Sequence, residues 1–109
     1  TVDTATPLEV GARRRTAAAI GKVGEEDLFR FTVKITGKHI VDTRGPTDVV
    51  MKLFGPDSPT ALIAEDDDSG LGSNARIAAD LLPGDYWVQV RHYSQAGGMG
   101  DYTIKVRRG

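Results

Sequence analysis

The sequence predicts an all-β fold, an antiparallel β-sandwich or jelly roll of about eight strands. Three observations carry that reading. Apolar residues recur with a period of two in several short runs. Clusters of turn formers separate those runs at short, regular spacing. The one stretch that competes as a helix, residues 10–20, lacks a broad apolar stripe and is interrupted or flanked by Gly11 and Gly21.

The first strand is expected at 16–20, inside that alanine-rich stretch. The clearest is Phe29-Arg30-Phe31-Thr32-Val33-Lys34-Ile35, where Phe29, Phe31, Val33 and Ile35 share one face and Arg30, Thr32 and Lys34 take the other. That alternation belongs to a half-buried antiparallel strand. Weaker runs follow at 38–43, 49–54, 62–65 and 76–81. Tyr86-Trp87-Val88-Gln89-Val90-Arg91 and Tyr102-Thr103-Ile104-Lys105-Val106-Arg107 repeat the strong pattern. Gly24-Glu25-Glu26-Asp27, Gly45-Pro46, Gly55-Pro56-Asp57, Asp68-Ser69-Gly70 and Pro83-Gly84-Asp85 supply the turns.

Composition bounds the function. The 109 residues make a single domain, 1–109 with its core at about 7–107. A chain of this size buries roughly two-thirds of its unfolded surface, enough for a core without staples. It has no cysteine, which excludes a disulfide scaffold, a thiolate zinc site and a cysteine nucleophile. Lys and Arg number 14 against 15 Asp and Glu, so no global field draws the chain to nucleic acid or an anionic membrane. No apolar run reaches the ~18–20 residues of a membrane span, and no segment resembles a signal peptide. The chain opens on Thr1 without an initiator Met, so we read it as a mature fragment or an excised domain. A monomer is expected.

Three segments, in order, resemble the bacterial pre-peptidase C-terminal domain. Gly24-Glu25-Glu26-Asp27-Leu28-Phe29-Arg30-Phe31 is similar to the family's acidic turn leading into an aromatic strand. Thr47-Asp48-Val49-Val50-Met51-Lys52-Leu53-Phe54-Gly55-Pro56-Asp57, followed by Leu62-Ile63-Ala64-Glu65-Asp66-Asp67-Asp68, resembles its central hairpin and acidic end. Leu82-Pro83-Gly84-Asp85-Tyr86-Trp87-Val88-Gln89-Val90 and Gly100-Asp101-Tyr102-Thr103-Ile104-Lys105-Val106 are similar to its closing strands. One departure is that Asp57-Ser58-Pro59 stands where the family often carries a Gly-bearing hairpin. The resemblance implies a small, non-catalytic jelly-roll sandwich appended to a secreted bacterial hydrolase, commonly a protease. It implies roles in secretion, in targeting polymers or in stabilising the parent enzyme. The related collagen-binding domains of clostridial collagenases bind calcium.

Glu65-Asp66-Asp67-Asp68-Ser69-Gly70 sets four carboxylates in succession, with Asn74 four residues beyond the glycine. Such a loop either splays its anions into water or neutralises them with a cation, and Ca²⁺ suits it because it takes six to eight hard oxygen ligands in flexible geometry. The candidate ligands are Asp66, Asp68 and Asn74, then Asp48, with Asp27 also at a strand start. An EF-hand is excluded, because alignment from Glu65 puts Arg76 at position 12, where a bidentate Glu is needed. The competing reading is a solvated acidic turn with Arg76 or Arg91 as counter-ion. Extracellular modules bind calcium at roughly 10⁻⁴–10⁻³ M, so at ~1 mM calcium such a site stabilises the fold by only about 0.4–1.4 kcal/mol.

With Tyr86, Val88 and Val90 on the core face, Trp87, Gln89, Arg91 and Tyr93 point the other way. Trp, Tyr and Arg dominate binding hot spots, so Trp87, Arg91 and Tyr93 are the candidate ligand-binding residues. If strand 102–107 is the sheet neighbour, Thr103, Lys105 and Arg107 extend that face. The competing reading has Trp87 covering the second side of the sheet. Arg13-Arg14-Arg15 reads as an exposed strand edge or the end of a linker.

Catalytic patterns are missing from the sequence. His39 and His92 lie on separate expected strands, Ser58, Ser69, Ser73 and Ser94 sit in turns, and neither Gly-x-Ser-x-Gly nor His-Glu-x-x-His occurs. With no catalytic pattern, and on what the resemblance to the pre-peptidase C-terminal family implies, we expect a non-enzymatic accessory domain of a secreted hydrolase, binding an extracellular polymer (polypeptide or polysaccharide), with calcium as one of the two readings of its acidic loop. The alternative is a structural or secretion-assisting appendage that packs on its own parent catalytic domain.

Overall fold

The computed structural model describes residues 5–11, 13, 15–20, 26–45, 49–58, 61–66, 75–92 and 100–109. Its strands are β1 (Thr6–Pro7), β2 (Thr16–Ile20), β3 (Glu26–Val33), β4 (Gly37–Arg44), β5 (Val49–Phe54), β6 (Leu62–Asp66), β7 (Arg76–Leu81), β8 (Gly84–His92) and β9 (Gly100–Arg108). They form a five-stranded sheet in the order β1-β3-β8-β5-β6 and a four-stranded sheet in the order β2-β9-β4-β7. Every pairing is antiparallel except that of β1 with β3. Among the described strands, β5 and β6 are the one consecutive pair that shares a sheet; every other step along the chain changes sheets. No helix among the described residues is long and apolar enough to cross a membrane.

The period-two runs make the core. Phe29, Phe31 and Val33 on β3, Val49, Met51 and Leu53 on β5, and Tyr86, Val88 and Val90 on β8 turn inward from one sheet. Val41, Ile77, Leu81, Tyr102, Ile104 and Val106 meet them from the other. Each such side chain contributes roughly 1.5–3 kcal/mol when fully buried. Phe31 stacks on Tyr86 with centroids 5.5 Å apart, and Phe29 meets Tyr102 edge-on at 6.4 Å. The second contact joins the two sheets.

Two sequence expectations change. The strand expected at 29–35 runs from Glu26 to Val33 instead, and Ile35, patterned as core, is 59% exposed. The chain crosses to the other sheet there, so alternation no longer dictates which way Ile35 points. Strands β8 and β9 are not neighbours: β8 lies between β3 and β5, and β9 between β2 and β4. Thr103, Lys105 and Arg107 therefore do not extend the Trp87 face.

The turn that departs from the family pattern has its own solution. Gly55 has φ 138°, and a Cβ there would sit 2.7 Å from Tyr86 Cδ2, so only glycine lets the turn close on that ring. Asp57 takes the left-handed conformation, φ 57°, which Asp tolerates better than most residues. Its N–H donates to Asp85 O at 2.7 Å, and its Oδ1 accepts from Asp85 N at 2.9 Å.

Tyr86 is buried beneath this turn and donates its hydroxyl to Leu82 O at 2.7 Å. Burial above all, with the nearby Asp57 carboxylate, raises its phenol above the ordinary 10. The neutral phenol is thus favoured by folding, and its contribution is present below pH 10 and lost as pH rises through 10 toward the raised folded value. Tyr86→Phe, which cannot ionise, is expected to lose thermal stability less steeply than the parent between about pH 9 and 11. Superimposable alkaline melting profiles would assign the decline to other groups.

Candidate functional site

The register defines the outer face of the five-stranded sheet. Arg30, Trp87, Phe54 and Leu62 stand in one row across β3, β8, β5 and β6. Leu28, Gln89, Lys52 and Glu65 form the next row, with Lys52 and Glu65 paired at 3.5 Å. Glu26, Arg91 and Val50 form the third. Trp87 is thus turned away from the core, yet it is only 8% exposed and its indole Nε1 has no hydrogen-bond partner among the described residues. Leu62 at the sheet edge is 55% exposed, and Ile63 beside it 40%. Arg91 is half-buried four residues along β8 from Trp87, roughly 13 Å away along an extended strand. A ligand touching both must be long. Tyr93 lies outside the described residues.

Of the proposed calcium ligands, Asp66 is described; Asp48, Asp68 and Asn74 lie outside the described residues. Asp66 ends β6, and its Oδ2 accepts the Arg76 N–H at 2.8 Å, tying the edge of one sheet to the first residue of β7 in the other. Arg76 thus meets Asp66 through its backbone. Met51 is paired with Asp66 and Val49 starts the same strand, so the described residues flanking the four candidate ligands gather at one end of the sandwich. Asp27 belongs elsewhere: it stands in one register row with Val90, Met51 and Asp66, three strand spacings or about 14 Å from the last. Its Oδ2 accepts the Tyr102 hydroxyl at 2.6 Å. No group of three or more His, Asp or Glu gathers among the described residues.

Sequence reasoning missed two features. Arg15 is no exposed linker residue. Its guanidinium lies 2.7 Å from Asp42 Oδ1, and it donates to Thr103 Oγ1 at 2.7 Å and Asp42 O at 2.9 Å, with both charged side chains less than one-fifth exposed. The edge strand β2 is thereby anchored through β9 to β4. The second feature is a groove of about 640 Å³ lined by Pro7–Val10, residues 30–32, Lys34, Ile35, His39 and Arg108. Its signal in the sequence was Ile35, an apolar residue at the very end of an alternating run. His39 is in the four-stranded sheet and His92 in the five-stranded one.

No protein-family profile and no curated protein matches the sequence. Among solved structures, the chain is similar to the pre-peptidase C-terminal domain of collagenase from Bacillus anthracis, with a TM-score of 0.72 and 15% identity over 94% of this chain and 95% of that one. It is similar as well to PliG, a periplasmic lysozyme inhibitor of g-type lysozyme. For Salmonella Typhimurium PliG the TM-score is 0.57 at 16% identity, over 95% of this chain and 99% of that one. For Aeromonas hydrophila PliG it is 0.54 at 18% identity, over 93% and 94%. The fold expected from the three sequence segments is thus the fold observed.

Tyr102 carries the contact between the sheets at the Asp27 end. Tyr102→Phe keeps the ring against Phe29 and removes one hydrogen bond to a carboxylate, a loss of about 1.5–3 kcal/mol. Chemical denaturation is expected to show the midpoint falling without a change in slope; an unmoved midpoint would mean that Asp27 is held by its other partners.

Proposed function

We propose that this chain is a non-catalytic accessory domain of a secreted bacterial hydrolase, most simply a protease, that binds an extracellular polymer through the outer face of its five-stranded sheet. The observation that carries the reading is the end-to-end likeness in fold to the pre-peptidase C-terminal domain of a collagenase. The outer face supports it. Arg91 stands half-buried on this face and Trp87, 8% exposed, lies about 13 Å away along the same strand, a span that suits an extended chain better than a compact molecule. Tyr93 is proposed as the third contact.

A second reading is favoured by Leu62 and Ile63, exposed on the edge strand β6: the domain packs on its own parent enzyme and has no external ligand. Co-sedimentation of the chain with insoluble collagen, elastin and cellulose separates the two. Retention on one polymer is expected, with affinity falling roughly thirtyfold in Arg91→Ala, the loss typical of a hot-spot residue. Failure to sediment with any of the three overturns polymer binding and leaves the packing role.

Calcium is proposed at the acidic end, held by Asp66, Asp68, Asn74 and Asp48. All four donors are hard oxygens, which fits Ca²⁺, and the Arg76 N–H on Asp66 Oδ2 fixes that carboxylate at the rim. The ion would offset the charge of the acidic run and fix the turn. Thermal unfolding is expected to shift upward by a few degrees, saturating at millimolar calcium, and to lose that shift in Asp68→Asn. A midpoint unmoved up to ~10 mM calcium would make residues 65–68 a solvated turn.

A further inference from the structure

We propose that the groove beside β3 binds an extended peptide segment in which acidic and apolar side chains alternate. This site shares Arg30 with the first outer-face row but is centred on the free edge of β3, and it uses none of Trp87, Arg91 or the acidic end, so it stands whether or not those readings do.

The case begins with the backbone of β3. Strand β1 covers only part of its free edge. Pro7 is paired with Arg30, and Leu8 N donates to Arg30 O at 2.7 Å, so Arg30 turns its peptide groups toward β1. Thr32, two residues on, turns its N–H and C=O the same way, because strand peptide groups alternate in direction. The chain has left by then: Gly11 N donates to Val106 O at 2.9 Å, in the other sheet. Among the described residues no strand occupies the β3 edge at Thr32, and Thr32 and Lys34 line the groove. An unpaired edge of this kind is a template for strand addition.

The walls state what the added strand must carry. Ile35 gives the apolar surface, 59% exposed although its place in the alternating run marks it for burial, with the buried Leu8 and Phe31 beneath the groove. Arg30, Lys34 and Arg108 line the groove against a single carboxylate, Glu9. His39 is 2% exposed, and its Nδ1 lies 2.8 Å from Gly37 O. A carbonyl can only accept, so Nδ1 carries a proton, and Nε2 has no partner among the described residues. A strand laid on the Thr32 edge sends alternate side chains to opposite sides. One set meets the exposed Ile35; the other meets Arg30 and Lys34. About 640 Å³ falls within the range of sites that hold small ligands, which gives room for a few residues.

The probe is a blocked peptide of alternating Val and Asp, titrated into ¹⁵N-labelled chain and followed by NMR, with a Val and Lys peptide as its counterpart. Amide shifts are expected at Thr32, Lys34 and Ile35, with slowed hydrogen exchange at Thr32, for the acidic peptide only. Lys34→Glu is expected to weaken binding about tenfold, and Ile35→Ser several-fold, at unchanged melting temperature. Arg107→Glu changes the net charge equally but lies exposed on β9, outside the groove, and is expected to bind as the parent does. Equal binding of the lysine peptide, equal weakening by Arg107→Glu, or shifts confined to other strands would each overturn the proposal.

Discussion

The structure depends on the packing of one sheet's inner rows against the other's. Since every step along the chain but β5 to β6 changes sheets, the sheets are assembled almost wholly from segments distant in sequence. What holds β3 beside β8 and β9 beside β4 is the shared core between them, with Phe29 against Tyr102 and the Tyr102 hydroxyl on Asp27 as its cross-sheet ties. Hydrogen bonds along the ladders then satisfy backbone groups whose positions the apolar rows have already set. Where a row ends, the chain is released from that constraint, and Asp66 at the end of β6 and Ile35 beyond the end of β3 both lie at such places.

Alternation made the strands legible. Phe29, Phe31, Val33, Tyr86, Val88, Val90, Ile104 and Val106 are buried as their spacing requires, because a period of two leaves only one face to hide. Strand β1 was invisible: two residues, Thr6 and Pro7, carry no period. The division into two sheets was invisible for another reason. Pairing is decided by partners far along the chain, and the β8 and β9 runs, alike in pattern, belong to opposite sheets. Arg15 shows the same blindness, since its carboxylate on Asp42 and its acceptors on Thr103 are contributed by strands with no sequence relation to it.

The candidate sites divide along the same line. The direction of Trp87 follows from its neighbours on β8, but its 8% exposure does not, because a side chain's cover depends on the strands beside it, here Arg30 and Phe54. Asp66 was singled out as one of four adjacent acids, whereas its placement at the seam between β6 and β7, receiving the Arg76 N–H, comes from the fold. The β3 groove had one trace in the sequence, an apolar residue past the point where the strand can continue.

The sheet-to-sheet crossings also set the order in which the chain can be built. Strand β2 needs β9, and Arg15 reaches a partner 88 residues further on. Strand β3 needs β8 before its second edge is covered. Local pairs that form early are scarce, and chains dominated by such distant contacts fold slowly, in milliseconds to seconds. Because β9 is an inner strand of its sheet, the four-stranded layer cannot close until residues 100–108 have left the ribosome. Up to that moment only the five-stranded layer has all its strands, and its apolar inner face has no finished layer to pack against.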